Sequence, residues 1–222
     1  MHVTVNAAMS ADGKLASKRR DQVKISGPED FARVDRLRAE SDAVLVGVGT
    51  VLADDPSLTV KDADRITARE ERGDPPHPAR IVADSRSRTP LDADVLDDRA
   101  PIYLLASEAA PADRREALEN VGATLLVAGT ERVCFPDALA ALEREGIEEL
   151  MIEGGGEVIF SLLEAGLVDR LSVFVGPLVI GGREAPTLAD GEGFTEDFAP
   201  LALEDVERLD DGVCLTWRLD ER

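Results

Sequence analysis

An α/β fold built on a mostly parallel sheet is predicted by three features of the sequence. Short Val-, Ile- and Leu-rich runs alternate with longer stretches of helical period, several of those stretches end near a glycine, and the pattern changes to a hairpin close to the C-terminus. The runs read as strands cover residues 2–8, 43–48, 79–83, 102–106, 124–127, 149–152 and 170–175. Between the first two a helix is expected. Ser26 and Glu29 have the spacing of a capping box around Gly27-Pro28, and Phe31, Val34 and a core-facing Leu37 follow at helical spacing. Further helices are expected over 112–120, 136–144 and 157–165, closed by Gly122, Gly146 and Gly166. Residues 201–208 and 213–219 flank the turn Asp210-Asp211-Gly212 and read as an antiparallel hairpin, which makes the expected sheet mixed. Residues 62–78 are charged, contain prolines and lack a clear period, so a surface loop with at most a short helical piece is expected there. The 222 residues suit a single domain, 1–222.

Composition narrows the function classes. No apolar run approaches the ~18 residues of a bilayer span, and the N-terminus Met1-His2-Val3-Thr4-Val5 has no basic stretch before an apolar core. A cytoplasmic protein is expected. Cys134 and Cys214 stand far apart without partners, and His2 and His77 cannot supply a zinc motif, so neither a disulfide framework nor a metal mechanism is indicated. The net charge of −20 repels nucleic acid. With lysine reduced to Lys14, Lys18, Lys24 and Lys61, and few aromatics, it is read as adaptation to molar salt rather than as an ordinary acidic surface.

Three apolar runs enter glycine turns: Gly47-Val48-Gly49-Thr50, Gly154-Gly155-Gly156 and Gly181-Gly182. Without a Cβ the backbone can approach a ligand, and N–H groups at a following helix start can hold an anion, so the turns suggest a dinucleotide or phosphate crevice along strand ends. Ile159 stands where a Rossmann fingerprint needs a small residue, and no Walker lysine is present. Asp84-Ser85-Arg86-Ser87-Arg88-Thr89-Pro90 follows another strand; its serines and arginines suit a 2′-phosphate, although taken alone the segment reads rather as a solvated turn, because arginine is the default basic residue of this chain.

Longer segments resemble the pyrimidine reductases of riboflavin biosynthesis. They are residues 6–14 (Asn6-Ala7-Ala8-Met9-Ser10-Ala11-Asp12-Gly13-Lys14), 37–43, and 46–60 with its stretch Thr50-Val51-Leu52-Ala53-Asp54-Asp55-Pro56. Asp84-Ser85 with Arg88, Glu153-Gly154-Gly155-Gly156, residues 163–169, and Gly181-Gly182 before Ala185-Pro186-Thr187 add to the likeness, which covers nearly the whole chain. The zinc-deaminase signatures of the bifunctional bacterial proteins are absent, so the chain resembles the free-standing archaeal type. The resemblance implies a dihydrofolate reductase-like three-layer fold, usually a homodimer. It implies reduction of 2,5-diamino-6-(ribosylamino)-4(3H)-pyrimidinone 5′-phosphate to the ribitylamino compound, by hydride transfer from NADPH to C1′, with NADH left open as an alternative.

On the substrate side the resemblance points to Asn6, Ser26, Arg38, Thr50, Asp54, Leu58, Lys61 and Glu153, with Asp54 as the catalytic candidate. Arg38 and Ser26 correspond to positions that hold the 5′-phosphate, Ser26 serving equally as a helix cap, and Thr50 is a ligand contact or a cap for the following turn. Lys61 stands where the family often has arginine; charge is kept but bidentate geometry is lost. On the cofactor side it points to Gly47, Gly49, Thr50, Ser85, Arg88, Gly155, Gly156, Glu157 and Val158, with Arg86 weaker; Asp55 stays undecided and Asp12 reads as a turn residue. The rivals are another dihydrofolate reductase-like pterin or pyrimidine reductase and a non-catalytic nucleotide-binding module.

Overall fold

In the computed structural model, which describes residues 1–219, the expected runs become strands and helices; residues 220–222 of the anticipated 1–222 domain lie outside the described residues. In chain order the elements are β1 (His2–Ser10), α1 (Pro28–Glu40), β2 (Ala43–Gly47), α2 (Val48–Asp54), α3 (Ala63–Glu71), β3 (Ala79–Ala83), β4 (Ile102–Ala106), α4 (Ala112–Asn120), β5 (Thr124–Val127), α5 (Phe135–Arg144), β6 (Glu149–Gly154), α6 (Gly156–Glu164), β7 (Arg170–Gly176), β8 (Leu201–Leu209) and β9 (Gly212–Leu219). Among the described residues, the strands of one part of the sheet follow the order β5-β4-β3-β2 and those of the other β1-β7-β9-β8. Two compact units divide the chain: Asp35–Met151 together with Met1, and His2–Val34 with Ile152–Arg222. Among the described residues no helix is long and apolar enough to cross a membrane.

In the first unit β2, β3, β4 and β5 run parallel, with Gly47 opposite Ala83, Arg80 opposite Ile102 and Tyr103 opposite Thr124. Val44, Leu45, Val46, Ile81, Val82, Leu104 and Leu105 are all buried. Strands covered on both faces need no polar alternation, which is why these runs are continuously apolar. On α5 Phe135, Ala138, Leu139 and Leu142 are buried at helical spacing.

Two expectations fail in this unit. Strand β2 ends at Gly47, and Val48 begins α2, where a glycine turn had been read. The charged stretch 62–78 contains the nine-residue helix α3 rather than a loop. The Asp62 carboxylate caps it, accepting from Asp64 N (2.9 Å) and Arg65 N (3.1 Å). Its inward side chain is Arg69, only 3% exposed, which donates through Nη1 to Ala39 O (2.8 Å) and Ser41 O (2.9 Å), carbonyls at the end of α1. A helix anchored by a guanidinium leaves no apolar period to read.

In the second unit β1 and β7 are parallel, with Asn6 opposite Ser172; β7 and β9, then β9 and β8, are antiparallel. A register shift between Leu203 and Asp205 keeps Leu201, Leu203 and Val206 on one face, opposite Leu219, Trp217 and Leu215. The segment after β1 is stitched to residues 178–187 by Ala11 N to Leu178 O (2.8 Å) and Leu15 N to Pro186 O (2.9 Å). Asp12 does more than shape a turn. Ser10 Oγ donates to it (2.6 Å), as do Ile180 N (3.0 Å) and Gly181 N (2.7 Å), and these bonds hold its carboxyl down to about 2.

The start of α1 also departs from expectation. The Ser26–Glu29 capping box does not form; Asp210, in the hairpin turn, accepts from Glu29 N (3.2 Å) and Asp30 N (3.1 Å), and Asp210 N donates back to the Glu29 carboxylate (2.7 Å). Gly27 permits this, since a Cβ there would collide with the Asp210 carboxylate. The expected apolar stripe does not form the buried face: Phe31 is 55% exposed, Val34 and Leu37 are half-buried rather than core-facing, and the buried positions are Asp30, Arg33, Asp35 and Ala39.

Candidate active site

The first unit places Gly49, Thr50 and Asp54 on one short helix. Gly47 is the extended N-cap of α2, and no side chain caps the helix. Glycine inside a helix costs about 1 kcal/mol relative to alanine, so its presence needs a reason. At Gly49 the fold provides none: a Cβ would meet nothing within 4 Å, and its φ is not in the left-handed region. The open space at this position would admit a ligand close to the backbone. We expect Gly49→Ala to raise folding stability by roughly 0.5–1 kcal/mol while weakening nucleotide binding about tenfold, read by thermal melts and a cofactor titration. Thr50 is not a cap, and its hydroxyl has no hydrogen-bond partner among the described residues.

Because Gly47 lies opposite Ala83, the segment following β3 leaves the sheet beside the start of α2. Asp84, fully buried, accepts from Thr89 N (2.7 Å) and Thr89 Oγ1 (2.8 Å), while Arg114 grips Ser87 O (3.0 Å) and Thr89 O (2.7 Å). Ser85 Oγ accepts from Val133 N (3.0 Å). The two arginines differ. Arg86 is engaged by Glu131 (2.8 Å), whereas exposed Arg88 comes only within 3.8 Å of Asp84.

At the other end of α2, Asp54 has no hydrogen-bond or ion-pair partner among the described residues, and partial burial pushes its carboxyl above the ordinary value. Asp55 is structural: its backbone is left-handed (φ 42°), its N–H closes on Val51 O, and its side chain accepts from Asp94 N (2.8 Å). Leu58 is also left-handed (φ 52°), with its side chain 1% exposed, so only its backbone is offered to a ligand.

Cations gather around the segment that follows. Lys61 Nζ donates to Ser57 Oγ and Thr59 Oγ1, both at 2.8 Å, and Arg38 Nη1 donates to Thr59 O (3.2 Å). Asp35 anchors the segment, accepting from Lys61 N (2.6 Å), Asp62 N (3.2 Å) and Arg65 Nη1 (3.0 Å). Desolvation and then the charges of Arg99 and Arg38 lower the Lys61 ammonium, and burial followed by Arg99 and Lys61 lowers His77. The positive charge of Arg99 and Arg38 on Lys61 is partly offset by Asp35 and Asp94, and Arg99 is itself paired with Asp97. Arg99 and His77 were not picked out from sequence, where an arginine after two aspartates and a lone histidine carry no pattern.

In the second unit β6 leads into α6 through Gly154 (φ 119°) and a cis Gly154–Gly155 peptide. Gly155 is the N-cap of α6, with no side-chain cap, and its carbonyl accepts from Val158 N (3.0 Å) and Ile159 N (3.1 Å). Gly156 has a packing role: a Cβ there would collide with Thr187 O, and Gly156 O accepts from Asp190 N (3.1 Å). Glu157 is exposed on the first helical turn, Val158 is half-buried behind it, and Glu153 is half-buried on β6.

Asn6 and Ser26 join a buried network that sequence reasoning missed. Asn6 Oδ1 accepts from Arg33 Nη2 (2.7 Å), Ser172 Oγ accepts from Arg33 Nη1 (2.8 Å), and Asp30 Oδ1 accepts from Arg33 Nε (2.9 Å). The Ser26 hydroxyl donates to Asp30 instead of capping α1. Asp30 and Arg33 have salt-bridge spacing, but on a charged helix that spacing reads as surface.

Comparison with known proteins bears on the family and the fold. Residues 1–215 match the model of the RibD C-terminal domain. The chain is 45% identical over 219 residues to the 2,5-diamino-6-ribosylamino-4(3H)-pyrimidinone 5′-phosphate reductase of Archaeoglobus fulgidus, covering 99% of this chain and 98% of that protein. Among solved structures, a pyrimidine reductase-like protein from Corynebacterium diphtheriae superposes with a TM-score of 0.86 at 20% identity, covering 100% of this chain and 92% of its own. Dihydrofolate reductase from Enterococcus faecalis, complexed with NADP(H), superposes with a TM-score of 0.51 at 12% identity, covering 99% and 96%. The last two bear on the fold alone, and the expected dihydrofolate reductase-like architecture is the one observed.

Proposed function

Because the chain belongs to the RibD C-terminal domain family, we propose that it reduces 2,5-diamino-6-ribosylamino-4(3H)-pyrimidinone 5′-phosphate to its ribitylamino product in riboflavin biosynthesis, using NADPH. The observation that carries the reading is that α2 bears both a glycine with open space at its Cβ position and a carboxyl raised by burial without a protein partner. The first suits a dinucleotide and the second a proton donor.

A nicotinamide dinucleotide fits the residues present. In the first unit Gly47, Gly49 and Thr50 would hold it, with Ser85 and Arg88 at the 2′-phosphate; in the second unit the family resemblance alone assigns Gly155, Gly156, Glu157 and Val158 to a cofactor. The reduced nicotinamide supplies a hydride for C1′ of the ribose. Asp54 holds the proton that reduction also consumes. Arg38 and Lys61 hold the 5′-phosphate, with Thr50 and the Leu58 backbone beside them; Asn6, Ser26 and Glu153 are assigned to the substrate in the second unit. Arg88 favours NADPH over NADH, since its guanidinium is exposed and not spent on a close ion pair.

The direct test is to incubate the protein in molar salt with the ribosylamino substrate, with dihydrofolate, and with each cofactor. Product heavier by two hydrogens from the first substrate is expected. Turnover of dihydrofolate instead would assign a different pterin reductase, and cofactor binding with no turnover would leave a binding module.

A cytoplasmic homodimer is proposed as the working form. Leu201, Leu203 and Val206 form an exposed apolar stripe on the terminal strand β8, which a second copy of the chain would cover. The charge of −20 points to a salty cytosol. Screening by molar KCl should raise Tm by at least ~5 °C, on the order of 2 kcal/mol for a chain this size. A flat or falling Tm between dilute and molar KCl would remove the high-salt assignment.

A further inference from the structure

Arg33 is 7% exposed, yet its donors are taken up by Asp30, Ser172 and Asn6. Asp30, itself fully buried, balances the charge. A buried ion pair of this kind is often no more stabilising than well-packed apolar residues, so stability alone does not account for it. Its geometric effect is specific. A guanidinium has only donors, so the Asn6 atom facing Arg33 Nη2 at 2.7 Å has to be the amide oxygen. The Asn6 nitrogen then points elsewhere. It has no hydrogen-bond partner among the described residues, and it is not one of the enclosed atoms left unpaired, so it faces accessible space.

We propose that Arg33 is a positioning residue that locks the Asn6 amide with its nitrogen outward, so that Asn6 reads a carbonyl or ring-nitrogen acceptor on the pyrimidinone. The inference rests on the assignment of Asn6 to the substrate. Without Arg33 the amide could present either end, and acceptor would meet acceptor in half of its orientations. Ser172 limits rotation of the guanidinium, since Ser172 Oγ accepts from Nη1 at 2.8 Å on the strand paired with that of Asn6.

The test uses Asn6→Asp, Asn6→Ala, Arg33→Lys and the Asn6→Ala/Arg33→Lys double variant, with steady-state kinetics and melts of the full chain. Asn6→Asp keeps an acceptor for Arg33, so Tm should hold or rise, while KM for the pyrimidinone substrate rises about tenfold or more with a smaller change in kcat. Arg33→Lys should raise KM several-fold, and should add nothing further in the Asn6→Ala background, because it acts through that amide. An Asn6→Asp enzyme with unchanged KM, or effects of Arg33→Lys and Asn6→Ala that multiply, would overturn the proposal. Should Arg33→Lys fail to fold, Arg33→Gln takes its place in the same cycle, and it too should raise KM and add nothing further in the Asn6→Ala background. Absence of turnover by the unmodified protein would instead sink the assigned reaction, and this inference with it.

Discussion

Asp54→Asn is expected to lower kcat by about 10²- to 10⁴-fold while leaving the fold intact or slightly more stable at neutral pH. Reduction at C1′ requires the ribose ring to open, and the ring oxygen leaves readily only if it is protonated. An ordinary aspartate would be ionised at neutral pH. Burial raises the Asp54 carboxyl, and no protein cation opposes that shift, so the acid form persists to higher pH than usual. The sign for stability follows from the same shift. A folded value above the unfolded one favours the folded state below the unfolded value of 3.8, and that contribution is lost as pH rises through the folded value. Removing the charge with Asn should therefore stabilise the protein above that window. The activity profile should lose its descending limb in the variant. An Asp54→Asn enzyme within threefold of the original kcat, with the limb intact, would remove Asp54 as the acid and leave it at most an orienting group.

Much of the framework was legible because it rests on local apolar pattern. Strands β3, β4 and β5 fall on residues 79–83, 102–106 and 124–127 as read, and Gly122, Gly146 and Gly166 all take up left-handed φ. The failures occur where polar groups do the packing. Helix α3 is anchored by Arg69, the inner face of α1 holds Asp30, Arg33 and Asp35, and the cap of α1 comes from Asp210, far away in sequence. None of these leaves a hydrophobic period. Helix α2 was hidden for a different reason: Gly47 and Gly49 read as a turn, although only Gly47 lies outside the helix. The candidate site was found through family resemblance rather than spacing. What only coordinates add is the difference between neighbours: a partnerless Asp54 beside a structural Asp55, an available Arg88 beside an engaged Arg86, and an open Gly49 against a tightly packed Gly156.

Arg38→Ala should raise KM for the phosphorylated substrate about 10- to 100-fold, with KM for the cofactor changed less than twofold. Arg38 extends from the last turn of α1 to Thr59 O, and Lys61 reaches Thr59 Oγ1 from the same segment, so the two cations flank one residue. Desolvation and the like charges of Arg99 and Arg38 keep the Lys61 ammonium below its usual pKa, and a phosphate dianion bound there would oppose that shift. Long-range attraction cannot supply this binding, because the chain carries −20 and both ligands are anions; it has to come from short, partly desolvated contacts. Removing Arg38 also relieves Lys61 of a like charge, which recovers part of the loss and sets the upper limit of the expected effect. Arg38→Lys should fall between, since charge remains but the planar fork is gone. A substrate lacking the 5′-phosphate should be insensitive to either change. Equal losses for substrate and cofactor, or equal sensitivity with and without the phosphate, would show that Arg38 supports the fold of its segment and does not hold the phosphate.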